Sequence, residues 1–311
     1  MEPAESTVFH SWQSPHGRPL PAPGGRTLVM GVLNLTPDSF SDGGQLPSVQ
    51  AVVDRAGAML MAGADVLDVG GESTRPGAAP VSAAGECDRV LPALDALRRT
   101  FPSAAISIDT YKAAVAEAAV QAGADIVNDI WGCLHGFTAE ERRRGIEALL
   151  SGTPAPPLPR SLMAAAAAAL RCPVILMHNR PDRNYGDFWA DLLLDLRLSM
   201  AVARAAGVLE HQLWLDPGFG FAKEPQHNLE VLKHLDRVVA LGRPVLLGTS
   251  RKSTIGLVLG APVNDRLDGT GATLVWGIRQ GCHMVRVHDV APMLRFVRMA
   301  DAIRAGLAWK L

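Results

Sequence analysis

Three carboxylates in this chain share one setting. Asp68, Asp109 and Asp216 each lie in or close a short apolar run; Asp68 and Asp216 are followed by loops rich in Gly, Pro, Ser or Thr, and Asp109 by Thr110 and a helical stretch. The amides Asn34 and Asn128 and the cations Lys252, Arg286 and His288 occupy the same kind of position, as do Asp129 and His178; Arg75 follows one such run by a few residues. Carboxylates and amides offer acceptors, with one amide donor, toward a common centre, which suits a flat heterocycle carrying N–H groups and a carbonyl. Lys252, Arg286, His288 and Arg75 offer donors and positive charge, which suits a phosphate or a carboxylate. Asn34 is a neutral oxygen donor of the type that accepts a hard cation such as Mg²⁺, an ion that keeps several waters and leans on phosphate. The ligand implied is a polar heterocycle joined to an anion, with a phosphate ester and a metal as the best fit.

The densest of these positions is Gly248-Thr249-Ser250-Arg251-Lys252-Ser253, directly after the apolar run Pro244–Leu247. A helical stretch follows, and two cations at a helix start oppose its dipole. Positive charge accepted at that cost has a use at this strand end. The bland alternative is a basic surface loop in which Ser250 or Ser253 caps the helix. Asp109 or Asp216, taken singly, also fits a helix cap. A whole ring of polar strand ends with three carboxylates is much harder to explain that way.

These residues need elements that bring them together. Eight strand-like runs alternate with helical stretches, beginning at Leu28–Leu33, Val66–Gly70, Ala105–Ile108, Asp125–Val127, Pro173–Met177, Gln212–Leu215, Val245–Leu247 and Met284–Val287. The helical stretches fall at about 49–62, 82–99, 111–122, 188–206, 226–240 and 291–306, and Gly63, Gly123 and Gly207 close three of them. Short, nearly continuous apolar strands are those of a parallel sheet covered on both faces. Strict alternation allows a doubly wound sheet or a closed barrel. Eight repeats predict the α/β class as a (β/α)8 TIM barrel over residues 27–311, whose ligands bind at the C-terminal ends of the strands. The doubly wound option wants a Gly-rich nucleotide loop after an early strand. Gly269-Thr270-Gly271 lacks the third glycine and follows no strand, so it is predicted to be a tight helix–barrel contact. Residues 1–26 are expected to be a loose lead-in, with room for one strand. Residues 134–170 form an elaborated fourth crossover: a charged helix at 138–151 with Thr138 and Glu141 as a capping box, a Pro-rich linker over Thr153–Pro159, and an Ala-rich helix over Ser161–Leu170.

Composition narrows the class. With 311 residues, 48% of them hydrophobic, the chain can bury a large core. A net charge of -1 gives no electrostatic case for nucleic acid or an anionic membrane. Cys87, Cys133, Cys172 and Cys282 are scattered without a CxxC pair, which suits a reduced cytoplasmic protein and argues against a zinc site or a disulfide framework. No apolar stretch reaches a membrane span and the N-terminus has no signal core, so a cytoplasmic location is expected.

Several runs resemble one family. They are Met30 to Gly44 (MGVLNLTPDSFSDGG), Asp68 to Gly77 (DVGGESTRPG), Asp216-Pro217-Gly218-Phe219-Gly220-Phe221, Ser250-Arg251-Lys252 and Arg286-Val287-His288-Asp289, with Ile108-Asp109-Thr110 and Asn128-Asp129-Ile130 in the right order. Over about residues 27–305 the chain resembles the dihydropteroate synthases, the folate-pathway enzymes blocked by sulfonamides. The resemblance implies that the amine of 4-aminobenzoate displaces diphosphate from (7,8-dihydropterin-6-yl)methyl diphosphate, giving 7,8-dihydropteroate, with Mg²⁺ as cofactor. In the family a carbocation forms first, which agrees with the lack of an obvious Ser, His or Cys nucleophile here. By the same resemblance Asp109, Asp216, Lys252, Arg286 and His288 do the chemistry. The pterin pocket falls on Asp109, Asn128, Asp216 and Lys252, lined by Met177 and Gly248. The diphosphate site falls on Asn34 through the metal, Asp68, Arg286 and His288. The 4-aminobenzoate site falls on Thr74, Arg75, Pro76, Phe221, Ser250 and Arg251, with Asp38 and Phe40 from the first loop. Ala222 stands where a glycine is common in the family. The partners implied are small-molecule substrates and, as is usual in the family, a second copy of the chain through the late helices.

Two other readings share the fold. A methyltetrahydrofolate:corrinoid methyltransferase-like domain would keep the pterin ring of Asp and Asn but has no use for Ser73 to Gly77 or for Ser250-Arg251-Lys252. A catalytically inactive pterin-binding paralogue should have lost loop residues, and both loops are complete here.

Overall fold

The computed structural model describes residues 12–36, 48–73, 78–151 and 160–309. Asp38, Phe40, Thr74, Arg75, Pro76 and the linker Thr153–Pro159 lie outside the described residues.

Eight strands alternate with helices along the chain: β1 (Leu28–Asn34), α1 (Val49–Met61), β2 (Val66–Gly70), α2 (Ala83–Thr100), β3 (Ala105–Asp109), α3 (Ala113–Gln121), β4 (Ile126–Asp129), α4 (Ala139–Ser151), α5 (Leu162–Ala169), β5 (Val174–Met177), α6 (Phe188–Ala205), β6 (Leu213–Asp216), α7 (Pro225–Lys233), α8 (Asp236–Val239), β7 (Leu246–Leu247), α9 (Ser253–Leu259), α10 (Leu267–Arg279), β8 (Met284–Val287) and α11 (Val290–Ala305). The strands are parallel and run in the order β6-β5-β4-β3-β2-β1-β8-β7. A single parallel bridge between Leu215 and Val245 joins β6 to β7 and closes the ring. This is the (β/α)8 barrel that the alternation predicts.

Strand parity decides what each residue does. Side chains alternate between faces, so alternate residues enter the barrel. The lower inward layer is apolar: Leu28, Met30, Val66, Ala105, Ile126, Ile175, Trp214, Leu246 and Met284 form one buried cluster. One step further along the same strands, the inward residues include Asp68, Ser107, Asn128, Met177, Asp216, Gly248 and Arg286. Their neighbours Leu67, Val69, Val127, Leu176, Leu215, Leu247 and Val287 face outward into the shell packed by the helices. The apolar plug thus supports the polar tier above it.

Residues 12–26 are not a loose lead-in. Trp12 is 2% exposed, stacks on Trp214 with centroids 4.3 Å apart, and joins the lower inward cluster with Leu20. Ser14 Oγ and Arg18 Nε both donate to the buried Asp125 Oδ1, at 2.6 and 2.8 Å. The segment closes the barrel floor by tertiary packing, which no local period announces, and it contains no strand among its described residues. Trp12→Ala is expected to lower unfolding stability by about 3 kcal/mol, the usual cost of truncating a buried Trp. Turnover per folded molecule should be unchanged. Denaturant titration alongside an activity assay checks both.

Other boundaries follow the sequence with local exceptions. Thr138 N donates to Glu141 Oε2 at 2.7 Å and Glu141 N to Thr138 Oγ1 at 3.2 Å, the expected capping box. The stretch 226–240 breaks at His234 into α7 and α8, which turns Leu235 and Val238 into the core. Gly269 and Gly271 form helix–helix contacts, not a helix–barrel contact. A Cβ there would lie 2.7 Å from Leu259 Cδ1 and 2.6 Å from Phe296 respectively, so α10 approaches α9 and α11 closely. In the long crossover, α5 packs between α3 and α6 as the ring helix, while α4 lies against α6. From α4 the buried Arg142 donates to Leu134 O and Asn179 O, each at 3.3 Å, bracing the loops after β4 and β5.

Candidate active site

At the C-terminal end of the strands a cleft of about 500 Å³, counting its open mouth, is lined by residues of six of the strands, β3 to β8, and their following loops. Asp109, Asn128, Met177, Asp216, Gly248, Lys252, Arg286 and His288 all face it, with Phe221 and Ser250. Its size suits a small bound ligand.

Arg286 organises the floor. Its Nε donates to Asp68 Oδ2 and its terminal NH2 to Asp109 Oδ2, both at 2.6 Å. Asn128 Nδ2 donates to the same Asp68 oxygen at 3.2 Å. Burial acts to lower the Arg286 pKa, but Asp68 and Asp109 outweigh it and hold the guanidinium charged, above its ordinary range. One cation shared by two acids leaves the upper one incompletely neutralised. Burial pushes Asp109 up to about 7, against the pull of Arg286 and with the added push of Asp68.

Asp216 and Lys252 face the cleft from the other side. Asp216 is 5% exposed, accepts from Gly218 N at 2.7 Å, and is pushed up to about 6 by burial. Lys252 is pushed down to about 8 by burial and by Arg286, with Asp216 and Asp109 opposing, and its Nζ lies 4.0 Å from the centre of the Phe221 ring. It is the N-cap residue of α9 and makes no side-chain cap bond, so its side chain serves the cleft and not the helix. Neither Ser250 nor Ser253 caps that helix. The loop after β6 that carries Asp216 is tightly turned. Gly218 has φ +68°, and a Cβ there would collide with His178 O. Ala222 has φ +45°, a left-handed conformation that glycine takes freely and that costs alanine roughly 1 kcal/mol. Tyr185 Oη donates to Ala222 O at 2.8 Å and helps hold the turn.

Several expected site residues fall elsewhere. Asp68 is fully buried beneath Arg286 and outside the cleft lining. Arg251 is exposed, has φ +58°, and pairs with Asp289 at 2.6 and 2.9 Å instead of turning inward. Asn34 closes β1 beside the cleft without lining it. Its Oδ1 and Asp109 Oδ2 lie 3.5 and 3.7 Å from where a Cβ on Gly70 would stand. Asp129 and His178 leave the ring of strand ends because each directly follows an inward residue, Asn128 or Met177. Asp129 accepts from Trp131 N and Cys133 N, at 2.9 and 2.7 Å, and shapes its own loop. His288 faces the cleft, with Nδ1 3.0 Å from Ser250 Oγ. Burial, Arg286 and Arg251 push it down to about 3, so it brings a dipole and not the positive charge expected of it.

Ile130 and Phe219 also line the cleft and had no predicted role. Both stand inside quoted motifs, two residues beyond Asn128 and three beyond Asp216, so the signal was present as position. Among the described residues no group of three or more His, Cys, Asp or Glu could hold a metal ion. Asn34 alone fits only an ion whose remaining ligands are water and a bound phosphate.

The chain matches the pterin binding enzyme family over residues 30–288. The dihydropteroate synthase of Bacillus subtilis (strain 168) is 47% identical over 278 residues, 89% of either chain. That of Clostridium beijerinckii is 45% identical over 281 residues, 90% of this chain and 95% of its own. Among solved structures, Clostridium difficile dihydropteroate synthase in the presence of pteroic acid superposes with a TM-score of 0.79 at 42% identity, covering 90% of this chain and 98% of that one. The Xanthomonas albilineans enzyme with 4-aminobenzoic acid superposes with a TM-score of 0.80 at 36% identity, covering 95% and 99%.

Proposed function

The chain belongs to the pterin-binding enzymes, in the dihydropteroate synthase family, and from that membership we propose how its cleft joins two substrates. The enzyme is a transferase of folate biosynthesis. The C–O bond between the pterin CH2 and diphosphate breaks, and the electron pair leaves with diphosphate. The positive charge spreads into the dihydropterin ring. The amine nitrogen of 4-aminobenzoate then bonds to the CH2 and gives up a proton.

The observation that carries this reading is the convergence of Asp109, Asn128, Asp216, Lys252 and Arg286 on one cleft. Asp216 and Asn128 take the N–H edge of the pterin, Asp109 takes a further ring donor, and Lys252 donates to its carbonyl. Met177 and Gly248 flank the ring. Carboxylates beside the ring also favour the cationic stage, while Arg286 draws the departing oxygens. Asp68 acts beneath Arg286 as a positioning residue. Ser250 and neutral His288 add donors for the diphosphate. Phe221, with Thr74, Arg75 and Pro76, receives 4-aminobenzoate; Arg251 at the rim suits its carboxylate only after release from Asp289. Mg²⁺, held by Asn34 with water and the diphosphate, would add positive charge to the leaving group.

The test is diphosphate release by the purified chain with the pterin diphosphate, 4-aminobenzoate and Mg²⁺. Release that depends on all three is expected; release unaffected by EDTA would remove the metal from the scheme. Binding should also carry a pH signature. Ring N–H donors need ionised carboxylates, so affinity for a pterin rises as pH climbs through about 6 to 7, where Asp216 and Asp109 titrate. The ring carbonyl needs an ammonium, so affinity falls as pH passes about 8, where Lys252 titrates. Calorimetric titration between pH 5 and 9 should therefore give a bell; a flat profile would contradict the assigned roles.

Leu257 and Val258 on α9 and Met299 and Ile303 on α11 are exposed, which supports a homodimer through these late helices. A sedimenting mass of one chain would exclude it. A cytoplasmic location is consistent with the four free cysteines, and among the described residues no helix is long and apolar enough to cross a membrane.

A further inference from the structure

Behind the Asp216–Phe221 loop lies a buried cation that the reaction as described does not use. Lys223 is 4% exposed. Its ammonium has three hydrogens and meets three acceptors: Gly218 O at 3.0 Å, Phe221 O at 3.1 Å and His178 Nδ1 at 2.8 Å. The match of donors to acceptors fixes the histidine tautomer. Nδ1 accepts, so Nε2 carries the hydrogen and donates to Asp195 Oδ2 at 3.1 Å, where Arg180 Nε also donates at 2.6 Å. A continuous chain therefore runs from α6 through the loop after β5 into the loop after β6 that follows Asp216. That loop needs an anchor, because Gly218, Gly220 and Ala222 all have positive φ within five residues. Such backbone persists only where its surroundings over-determine it.

We propose that Lys223 is a positioning residue for the pterin pocket: it ties the two carbonyls of the Asp216–Phe221 loop to His178, keeping Gly218 N on Asp216 and the Phe221 ring beneath Lys252. This rests on the pterin-binding reading given above. The groups facing Lys223 are Asp216 from β6, Asp195 from α6, Arg180 from the loop after β5, Lys252 from the loop after β7, and His178 itself. Burial pushes Lys223 down to about 7, opposed by Asp216 and Asp195 and assisted by Arg180 and Lys252. Burial and Lys223 push His178 down to about 4, in keeping with a neutral ring. Lys223 joins Lys252 and Arg286 as a cation that favours the ionised form of Asp216, and it stands outside the cleft lining.

The experiment compares wild type, Lys223→Met and Lys223→Arg. Pterin KM should rise at least tenfold in Lys223→Met, as for loss of other supporting residues behind a ligand shell, with a smaller fall in kcat. The acid limb of pterin binding should move up by on the order of half a pH unit, because Asp216 loses a neighbouring charge. Lys223→Arg should return the limb toward wild type, which a merely space-filling role would not predict. A folded Lys223→Met with wild-type KM and an unmoved acid limb would overturn the proposal. Nitrogen NMR of histidine-labelled wild type tests the same arrangement without any variant at Lys223, with His178 assigned through His178→Gln. A neutral ring unprotonated at Nδ1 is expected near pH 6, where Lys223 is charged and His178 is not, and a proton on Nδ1 would overturn it. Failure of wild type to bind a pterin would fall on the functional reading instead, while the tautomer still reports on Lys223.

Discussion

Replacing Lys252 by alanine is expected to cut product formation by roughly two to three orders of magnitude while the barrel stays folded. The loss is that of one donor aimed at a reacting ligand inside a recessed site. Lys252 faces the cleft, lies over Phe221, and is opposed by Arg286 with only Asp216 and Asp109 in its favour. Its stability sign is the reverse of its functional one. A lysine pushed from 10.5 down to about 8 binds fewer protons folded than unfolded, so the charged side chain costs stability below about pH 8. The melting temperature of Lys252→Ala should hold or rise at pH 7 as activity collapses, a trade common at strained functional sites. Diphosphate release and a thermal melt on the same preparation decide it. Normal turnover would remove Lys252 from the mechanism.

Arg286→Met should damage both fold and function. It leaves Asp68 and Asp109 facing one another without their shared cation. Removing one member of a buried ionic cluster commonly costs about 3–5 kcal/mol. The pH dependence has a definite direction. Asp109 is already pushed up to about 7, and a carboxyl raised above its unfolded value of 3.8 binds extra protons in the folded state. Stability then falls as pH rises through the folded pKa. The deficit of Arg286→Met should be greatest above pH 7 and shrink toward pH 5, where the carboxyl becomes protonated. Denaturant midpoints at the two pH values measure it; an equal deficit at both would contradict the shared-cation picture.

Much of this arrangement is legible in the sequence. Apolar runs ending in Asp109, Asn128 and Asp216, spaced by helical stretches, gave both the barrel and the mouth at which its ligands gather. Which face each polar residue takes was harder to read. Met177 and His178 are adjacent, and only strand parity sends the first into the cleft and the second toward Asp195. Asp68 and Asp109 share a residue type and a kind of strand, yet one lies a layer below the other. Depth depends on how neighbouring strands are staggered, here Asp68 opposite Ser107 and Gly70 opposite Asp109. Trp12 and Lys223 are hard to read for a different reason. Their partners, Trp214 and His178, are remote in sequence, so no periodic pattern marks them. His288 looked like a charge because its type allows one; burial beside Arg286 removes it.

The ring is fastened unevenly. β1 and β2 share a five-residue register, whereas β6 and β7 are held by one bridge between Leu215 and Val245. Asp216 and Lys252 stand on opposite banks of that weak seam. A pterin gripped by both acts as a rivet across it, fastening from above what the backbone leaves nearly open below. Slowed amide exchange on substrate binding should then concentrate at 213–216 and 245–248 instead of spreading around the circumference.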